Sequence, residues 1–283
     1  MASFDVMPHI ELYKPTELAD ALELADRLGP RGWLLGGGQD TYGWFKDRAK
    51  NAEAMIDLNG IEALHGIRET ADGIEIGAAT TLREIVRDPL LNERFAVLPA
   101  AAARVASPQI RNVGTLGGNL VQDTRCWYYR RGLACYRAGG NLCYADSPQG
   151  MNREHCVFGA SRCVAVSPSD TATAMVALDA TMVATSVDGE RLIPAGRFFA
   201  LPETHITRMT TLEPGEILTA VRLPARWAGK RFYFEKVADR DVWDFARVSI
   251  AAALDLYGVN NCHARVVCGG VSGNLEMIDF DNW

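Results

Sequence analysis

Gly114-Thr-Leu-Gly-Gly-Asn119 opens the stretch that decides how this chain is read, and Ser167-Pro-Ser-Asp170 closes it. Between them stand Cys126, Cys135, Cys143, Cys156 and Cys163, five of the seven cysteines within 38 residues. Thiols this dense mean a disulfide staple, a metal site or a redox pair. The gaps are eight, seven, twelve and six residues. Structural zinc sites use paired knuckles only a few residues apart, and no two cysteines here are that close. Wide, uneven gaps suit a cuboidal [4Fe–4S] cluster, whose corner irons each take one thiolate. Spacing alone leaves zinc, disulfides and unligated thiols open beside it. Five cysteines for four corners also leave one surplus.

The charges around the cysteines point the same way. Arg125, Arg130, Arg131, Arg137, Arg153 and Arg162 outnumber Asp146 and Glu154. A tetrathiolate cluster is a net anion, and nearby guanidinium groups and N–H donors would stabilise it, more so when reduced.

At 283 residues the chain can bury two or three subdomain cores. Its 48% apolar and 23% charged content is that of a soluble globular protein. A net charge of −6 argues against a general nucleic-acid binder. No run reaches the length of a membrane span. Met1-Ala-Ser-Phe-Asp-Val6 lacks the basic and apolar regions of an export signal. Only Cys262 and Cys268 lie outside the loop, which is no disulfide framework. The expected compartment is therefore reducing cytoplasm.

From Thr16 to Leu28, apolar Leu18, Ala21, Leu22, Ala25 and Leu28 form a helical stripe, begun near Pro15 and ended by Gly29-Pro30. Trp33-Leu-Leu35 reads as a short buried strand running into Gly36-Gly-Gly-Gln-Asp40, and Met55-Ile-Asp-Leu58 as another. Gly73 to Ala78 is a strand, and Thr81 with Glu84 has capping-box spacing. Phe95 to Val105 and Thr171 to Leu178 are apolar helices. Thr181 to Val187 and Arg191 to Pro194 form a hairpin about Asp188-Gly189. After a loop near Pro202 to Pro214, the strands Ile217–Leu223, Phe232–Val237, Val248–Leu256 and Ala264–Val267 are expected in one antiparallel sheet. The fold class is α+β: α/β subdomains at 1–60 and 61–206, the latter with the cysteine loop at 123–166, then an antiparallel-sheet domain at 207–283.

A glycine turn after a strand is usually only a turn. Gly36-Gly-Gly lets backbone N–H groups approach an anion because no Cβ intervenes. It matches neither a Walker A loop nor the GxGxxG fingerprint. Two such turns beside a dense cysteine loop form a less ordinary set.

The set resembles the FAD-binding (medium) subunit of the xanthine oxidase family of molybdenum hydroxylases. The resemblance rests on Gly37-Gly-Gln-Asp40, Gln109-Ile-Arg-Asn112 with Thr115-Leu-Gly-Gly-Asn119, and Ser169-Asp170. It continues in Glu216 to Pro224, Phe234-Glu-Lys-Val237, Arg247 to Ala251 and Gly269-Gly-Val271. Asp123-Thr-Arg-Cys126, Phe158-Gly-Ala-Ser161 and Cys163 to Asp170 are similar to the branch with an iron–sulfur insertion: 4-hydroxybenzoyl-CoA reductases and periplasmic aldehyde oxidoreductases.

The resemblance implies a residue set. Leu34, Leu35, Gly36, Gly37, Gly38, Gln39, Asp40 and Thr41 would hold the pyrophosphate and ribose end of FAD. Thr115, Gly117, Gly118 and Asn119 would line the flavin side. Ser169 precedes Asp170, which would hydrogen-bond the cofactor's polar chain, and Leu218 and Lys236 sit where the third domain touches the flavin. Read without the family, Lys236 is a solvated charge on a strand edge. A [4Fe–4S] cluster would take Cys126, Cys135, Cys143 and Cys163, leaving Cys156 as surplus and natural substitute. In the family the last domain runs on well past Gly-Gly-Val, so the stretch from Asn274 to Trp283 is expected to miss or replace its final helices.

The implied function is electron transfer within a three-subunit enzyme. A large subunit with the molybdenum cofactor handles the organic substrate, and a small subunit with two [2Fe–2S] clusters passes electrons to this chain. FAD then exchanges them with an outside carrier, a small molecule or a protein. Nothing in the sequence offers a molybdenum site. The complex could be periplasmic if a partner carried the targeting signal. A stand-alone flavin oxidase would need its own base, yet His9, His65, His155, His205 and His263 stand in no motif. A zinc-stapled, non-redox binding module is the rival of another class.

Overall fold

Three sheets organise the computed structural model, which describes residues 6–257, 261–273 and 275–281. The first is parallel, with strands β1 (Glu11–Tyr13), β2 (Gly32–Leu35) and β3 (Ala54–Asp57) in the order β1-β3-β2. The amphipathic helix Leu18–Leu28 turns Ala21, Leu22 and Ala25 onto it. This is the small βα unit that the stripe and the two short apolar runs imply.

The second sheet is antiparallel. It holds β4 (Ile67–Thr70), β5 (Gly73–Gly77), β6 (Thr181–Ser186), β7 (Gly189–Pro194) and β8 (Ile217–Pro224), ordered β4-β5-β8-β6-β7. Here the sequence reading needs correction. Ile217 to Leu223 does not join the later strands. It lies between β5 and β6, pairing Val221 with Ile76 and with Met182. Strand periodicity shows that a segment is extended, but which sheet edge it meets is set by contacts far away in the chain.

The third sheet is antiparallel, with β9 (Arg231–Val237), β10 (Val248–Tyr257), β11 (Asn261–Gly269) and β12 (Glu276–Asp281) in the order β12-β11-β10-β9. The expectation for 274–283 falls partly on residues 274, 282 and 283, outside the described residues, and Glu276–Asp281 adds a strand to this sheet. Of the N-terminal stretch read for an export signal, only Val6 is described.

The second and third sheets share one core. The helix Asp170–Ala177 runs through it with every residue buried, touching both Val97–Ala103 and the third sheet. That explains its composition: a helix covered on all sides carries no polar stripe, and its small Ala and Thr side chains allow close approach. Caps set its position, with Ser169 Oγ accepting from Ala172 N at 3.1 Å. The capping box at Thr81 and Glu84 is formed, starting the helix Leu82–Arg87.

Ile76 is fully buried and paired with Val221. Ile76→Ala leaves a cavity at this junction and is expected to destabilise the fold by about 2–5 kcal/mol. Urea or thermal unfolding with a circular dichroism readout measures it.

Candidate functional site: a cleft between two glycine turns and a cavity of cysteines

A cleft of about 540 Å3 opens between the first sheet, the second sheet and the loop between β9 and β10, a size suited to a cofactor or small ligand. Its floor is made by the two glycine turns. Gly37 lies so close to the second turn that a Cβ there would come within 2.0 Å of Val113 O. A Cβ on Gly36 would meet Thr115 Oγ1 at 2.9 Å. The sequence predicts that Gly37 makes room for an anion. Its position shows a different need: backbone of one turn packs directly on backbone of the other.

Helix Leu116–Leu120 begins at the second turn, with Thr115 Oγ1 accepting from Gly118 N at 3.1 Å. Asn119 is fixed from behind, since its Oδ1 accepts from Ser169 Oγ at 2.8 Å and Thr171 Oγ1 at 2.6 Å. With that oxygen used twice, Asn119 has its amide N–H groups to offer the cleft it lines.

Asp170 carries the most constrained chemistry. Lys236 Nζ donates to Asp170 Oδ2 at 2.6 Å, to Arg104 O at 3.0 Å and to Asp244 O at 2.8 Å, which uses all three ammonium protons. Both side chains are almost wholly buried. Asp170 Oδ1 is also buried and has no hydrogen-bond partner, although Asp170 lines the cleft. An orphaned carboxylate oxygen is costly unless a ligand donor meets it. Burial pushes the Asp170 carboxyl up to about 6, with Lys236 and Arg104 holding it down. It is therefore ionised at neutral pH and able to accept a strong hydrogen bond from a hydroxyl. The residues thus fit a flavin with a polyhydroxyl chain.

Most predicted cofactor residues come together here. Leu34, Gly36, Gly37, Gly38, Gln39, Asp40, Thr41, Thr115, Gly117, Gly118, Asn119, Asp170 and Leu218 all line the cleft. Leu35, Ser169 and Lys236 do not. Leu35 is in the core with Trp44 and Phe45. Ser169 caps its helix, and Lys236 stands behind Asp170 rather than as a solvated edge charge. Lys50, Arg125, Trp243 and Phe245 line the cleft as well, unanticipated by the sequence reading. The signal for Arg125 was its place in Asp123-Thr-Arg-Cys126, but it was assigned with the other arginines to the cysteines.

The arginines in fact divide. Arg125 and Arg130 both reach Asp40 Oδ1, at 2.8 and 3.2 Å, and Trp44 Nε1 donates to Oδ2 at 2.9 Å. Asp40 therefore clasps the cysteine loop onto the first glycine turn. Arg153 pairs with Asp239 on the surface at 2.7 Å. Arg137 and Arg162 are the two that line the cavity shared by Cys126, Cys135, Cys143 and Cys163.

Local structure explains how thiols so far apart in sequence meet. Tyr136 N donates to Leu142 O, and Gly140 N to Cys135 O, closing the chain between Cys135 and Cys143. Only glycine fits at position 140, where a Cβ would lie 1.9 Å from Ala134 O. Cys126 precedes the short helix Trp127–Arg130, and Cys163 bridges back to Ser161. None of the five loop cysteines is in a disulfide. Cys156 does not line the cavity, although its N–H bonds Val164 O at 2.9 Å. Burial pushes the Cys126 and Cys163 thiols up and Cys156 up to about 11. Among the described residues, no three Cys, His, Asp or Glu side chains converge as one bound ion requires. Cys126, Cys135, Cys143 and Cys163 nevertheless line one hollow, of about 10 Å3.

Cleft and cavity are neighbours. Trp44 lines the first and Tyr129 the second, with ring centroids 5.5 Å apart. Asp123 spans the same wall, binding Lys50 at 2.8 Å on the cleft side and Arg137 at 2.7 Å on the cysteine side. Burial alone would raise the Asp123 carboxyl, but Arg137 and Lys50 together pull it below the usual range. Burial would likewise lower Lys50, and Asp123 with Tyr129 more than offsets it.

Gly37→Ala forces the turns apart, so flavin content should fall steeply, whereas Gly196→Ala, with no heavy atom near its Cβ, should retain it; absorbance of the purified variants decides. Asp170→Asn removes a charged acceptor and should weaken flavin binding about 10–100-fold. In the wild type, retention should be full well above pH 6 and decline as pH falls through about 6, where the folded chain protonates Asp170. Stability linked to this group runs the other way: its folded value exceeds the unfolded 3.8, so the apo fold loses stability as pH rises from about 4 to 6. Flavin fluorescence against pH, compared with unfolding curves, separates the two.

Comparison with known proteins agrees with this geometry. Residues 8–226 match the family model described as the FAD binding domain in molybdopterin dehydrogenase. The chain is 36% identical over 259 residues to the aldehyde oxidoreductase FAD-binding subunit PaoB of Escherichia coli K12, covering 90% of this chain and 79% of that protein. It is 28% identical over 267 residues to the carbon monoxide dehydrogenase medium chain of Hydrogenophaga pseudoflava, covering 94% and 76%. A solved structure of carbon monoxide dehydrogenase from Hydrogenophaga pseudoflava superposes with a TM-score of 0.74 at 26% identity, over 96% of this chain and 78% of that one. The orphaned Asp170, the abutting turns and these likenesses lead to one conclusion: the chain belongs to the family of FAD-binding subunits of the molybdenum hydroxylases.

Proposed function

We propose that this chain is the electron-transfer subunit of a heterotrimeric molybdenum hydroxylase, of aldehyde oxidoreductase or aromatic acyl-CoA reductase type, carrying FAD and a [4Fe–4S] cluster. The observation that carries the reading is the pairing of two sites across one thin wall: the cleft with its orphaned acceptor and the cavity of four thiols. FAD, when bound, supplies chemistry in one- or two-electron units, so it can serve both single-electron centres and a two-electron carrier. Relatives described as a FAD-binding subunit and a medium chain support work alongside partners. The partners proposed are a molybdenum-cofactor large subunit, where substrate chemistry occurs, and a small subunit with two [2Fe–2S] clusters. Among the described residues no helix is long and apolar enough to cross a membrane. The proposed site is the cytoplasm, or the periplasm if a partner bears the targeting signal.

The residues take these roles in the proposal. Leu34 and residues 36–41 present backbone to the pyrophosphate end, and Lys50 and Arg125 add positive charge to the same cleft. Asn119 donates and Asp170 accepts along the polar chain of the cofactor, while Leu218 supplies apolar surface. Lys236 positions Asp170 and keeps it charged. Cys126, Cys135, Cys143 and Cys163 each give one thiolate to the cluster. Burial raises the Cys126 and Cys163 thiols, and coordination to a cationic metal would hold them deprotonated. Trp44 and Tyr129 exclude water from the wall between the centres.

The test is a contrast between two cysteines. Cys163→Ala should lose the cluster, with iron and acid-labile sulfide far below four each, and keep much of its FAD. Cys156→Ala should keep both. The reverse pattern would reassign the fourth ligand to Cys156. Zinc in place of iron, or no effect of either substitution, would overturn the cluster. The isolated chain should also stay oxidised with aldehydes or aromatic thioesters until its partner subunits are added; direct reduction would favour a stand-alone oxidase.

A further inference from the structure

His155 stands in no sequence motif, yet the structure places it at the cysteine cavity. It lines the same hollow as Cys126, Cys135, Cys143 and Cys163, and it is 5% exposed. Neither Nδ1 nor Nε2 makes a well-formed hydrogen bond, and only the Asn152 backbone approaches the ring. The ring is held there by its backbone. His155 N donates to Asn152 O at 3.0 Å, Asn152 Nδ2 donates to Ala145 O at 3.1 Å, and Cys156 N to Val164 O at 2.9 Å. The turn therefore fixes an imidazole in the cavity wall with neither nitrogen in a well-formed hydrogen bond.

A buried polar group without a good partner is costly, and a bound group in the cavity could supply one. An imidazole has at least one N–H to donate in either protonation state. Four thiols already match the four corners of a cuboidal cluster, which leaves no iron for the ring. What such a group still offers is sulfur, in its sulfides and its thiolates, and sulfur accepts hydrogen bonds. We propose that His155 donates a ring N–H to a sulfur atom of the group held by the four cysteines. The inference rests on the iron–sulfur reading of that cavity. A donor facing sulfur favours the more negative, reduced form, so His155 raises the potential of the cluster relative to a donor-free wall. It is a positioning and tuning residue, and no thiolate depends on it.

The experiment uses the full chain purified with its cofactors. Protein labelled with nitrogen-15 histidine is reduced with dithionite and studied by pulsed electron paramagnetic resonance. The other histidines do not line the cavity, so a histidine nitrogen coupling to the reduced cluster identifies His155. His155→Leu should abolish that coupling and lower the midpoint potential, with iron and sulfide contents unchanged. His155→Gln keeps a donor and should keep the potential near that of the wild type. Absence of coupling in the wild type overturns the inference, even if the Leu variant fails to fold, and so does a Leu variant with unaltered potential. A wild-type protein without iron and sulfide overturns the cluster reading itself, and the inference falls with it.

Discussion

One buried ion pair holds the cofactor cleft in shape. Lys236 comes from β9 and Asp170 from the start of the central helix, and the same ammonium binds carbonyls of Arg104 and Asp244. It thereby joins the second sheet's helices, the third sheet and the loop that carries Trp243 and Phe245. A buried pair is a poor source of stability, because desolvating both charges offsets most of their attraction, and an apolar pair of similar shape often does as well or better. Its retention makes sense through Asp170 Oδ1, the oxygen that Lys236 does not occupy. The lysine keeps a carboxylate charged where burial works to neutralise it.

The cysteine loop is built into this arrangement rather than hung from it. Tyr129 and Cys135 share a small core with Leu35 and Met55 of the first sheet and with Trp44 and Phe45 of the helix Thr41–Lys46. Asp40 reaches across to Arg125 and Arg130, and Lys50 reaches across to Asp123. Two of the loop's arginines, Arg125 and Arg130, thus serve an acid of the flavin side. Arg137 instead is buried between Asp123 and the thiols, with a third bond to Ile206 O.

Local chemistry made much of this legible. Glycine turns after strands, the Thr81–Glu84 capping box, the Asp188-Gly189 hairpin and the apolar helix after Ser169 depend on neighbours a few residues away, and each formed. The two turns and Asp170 were readable as one site because motifs recur in order. What could not be read depends on distant partners. Ile217–Pro224 looks like any strand, and its insertion between β5 and β6 is decided by residues 76 and 182. Lys236 reads as a surface charge until Asp170 is seen beside it. Arg125 and Arg137 are indistinguishable by composition, yet they face different cavities. His155 carries no signature because its significance lies in bonds that it does not make.

The cleft is assembled from separated pieces of chain: 33–58, 78–125, 168–170, 207–218 and 243–245. No contiguous half of it contains both the glycine floor and the Asp170–Lys236 anchor. Each closure between such distant pieces costs chain entropy before the contact repays it, so these contacts belong late in folding. During synthesis the N-terminal turns emerge long before β9 can reach Asp170, and domains otherwise tend to fold in order of emergence. Flavin loading is therefore a step for a nearly complete polypeptide, and a ribosome-bound chain that has not yet exposed Lys236 has no cleft to fill.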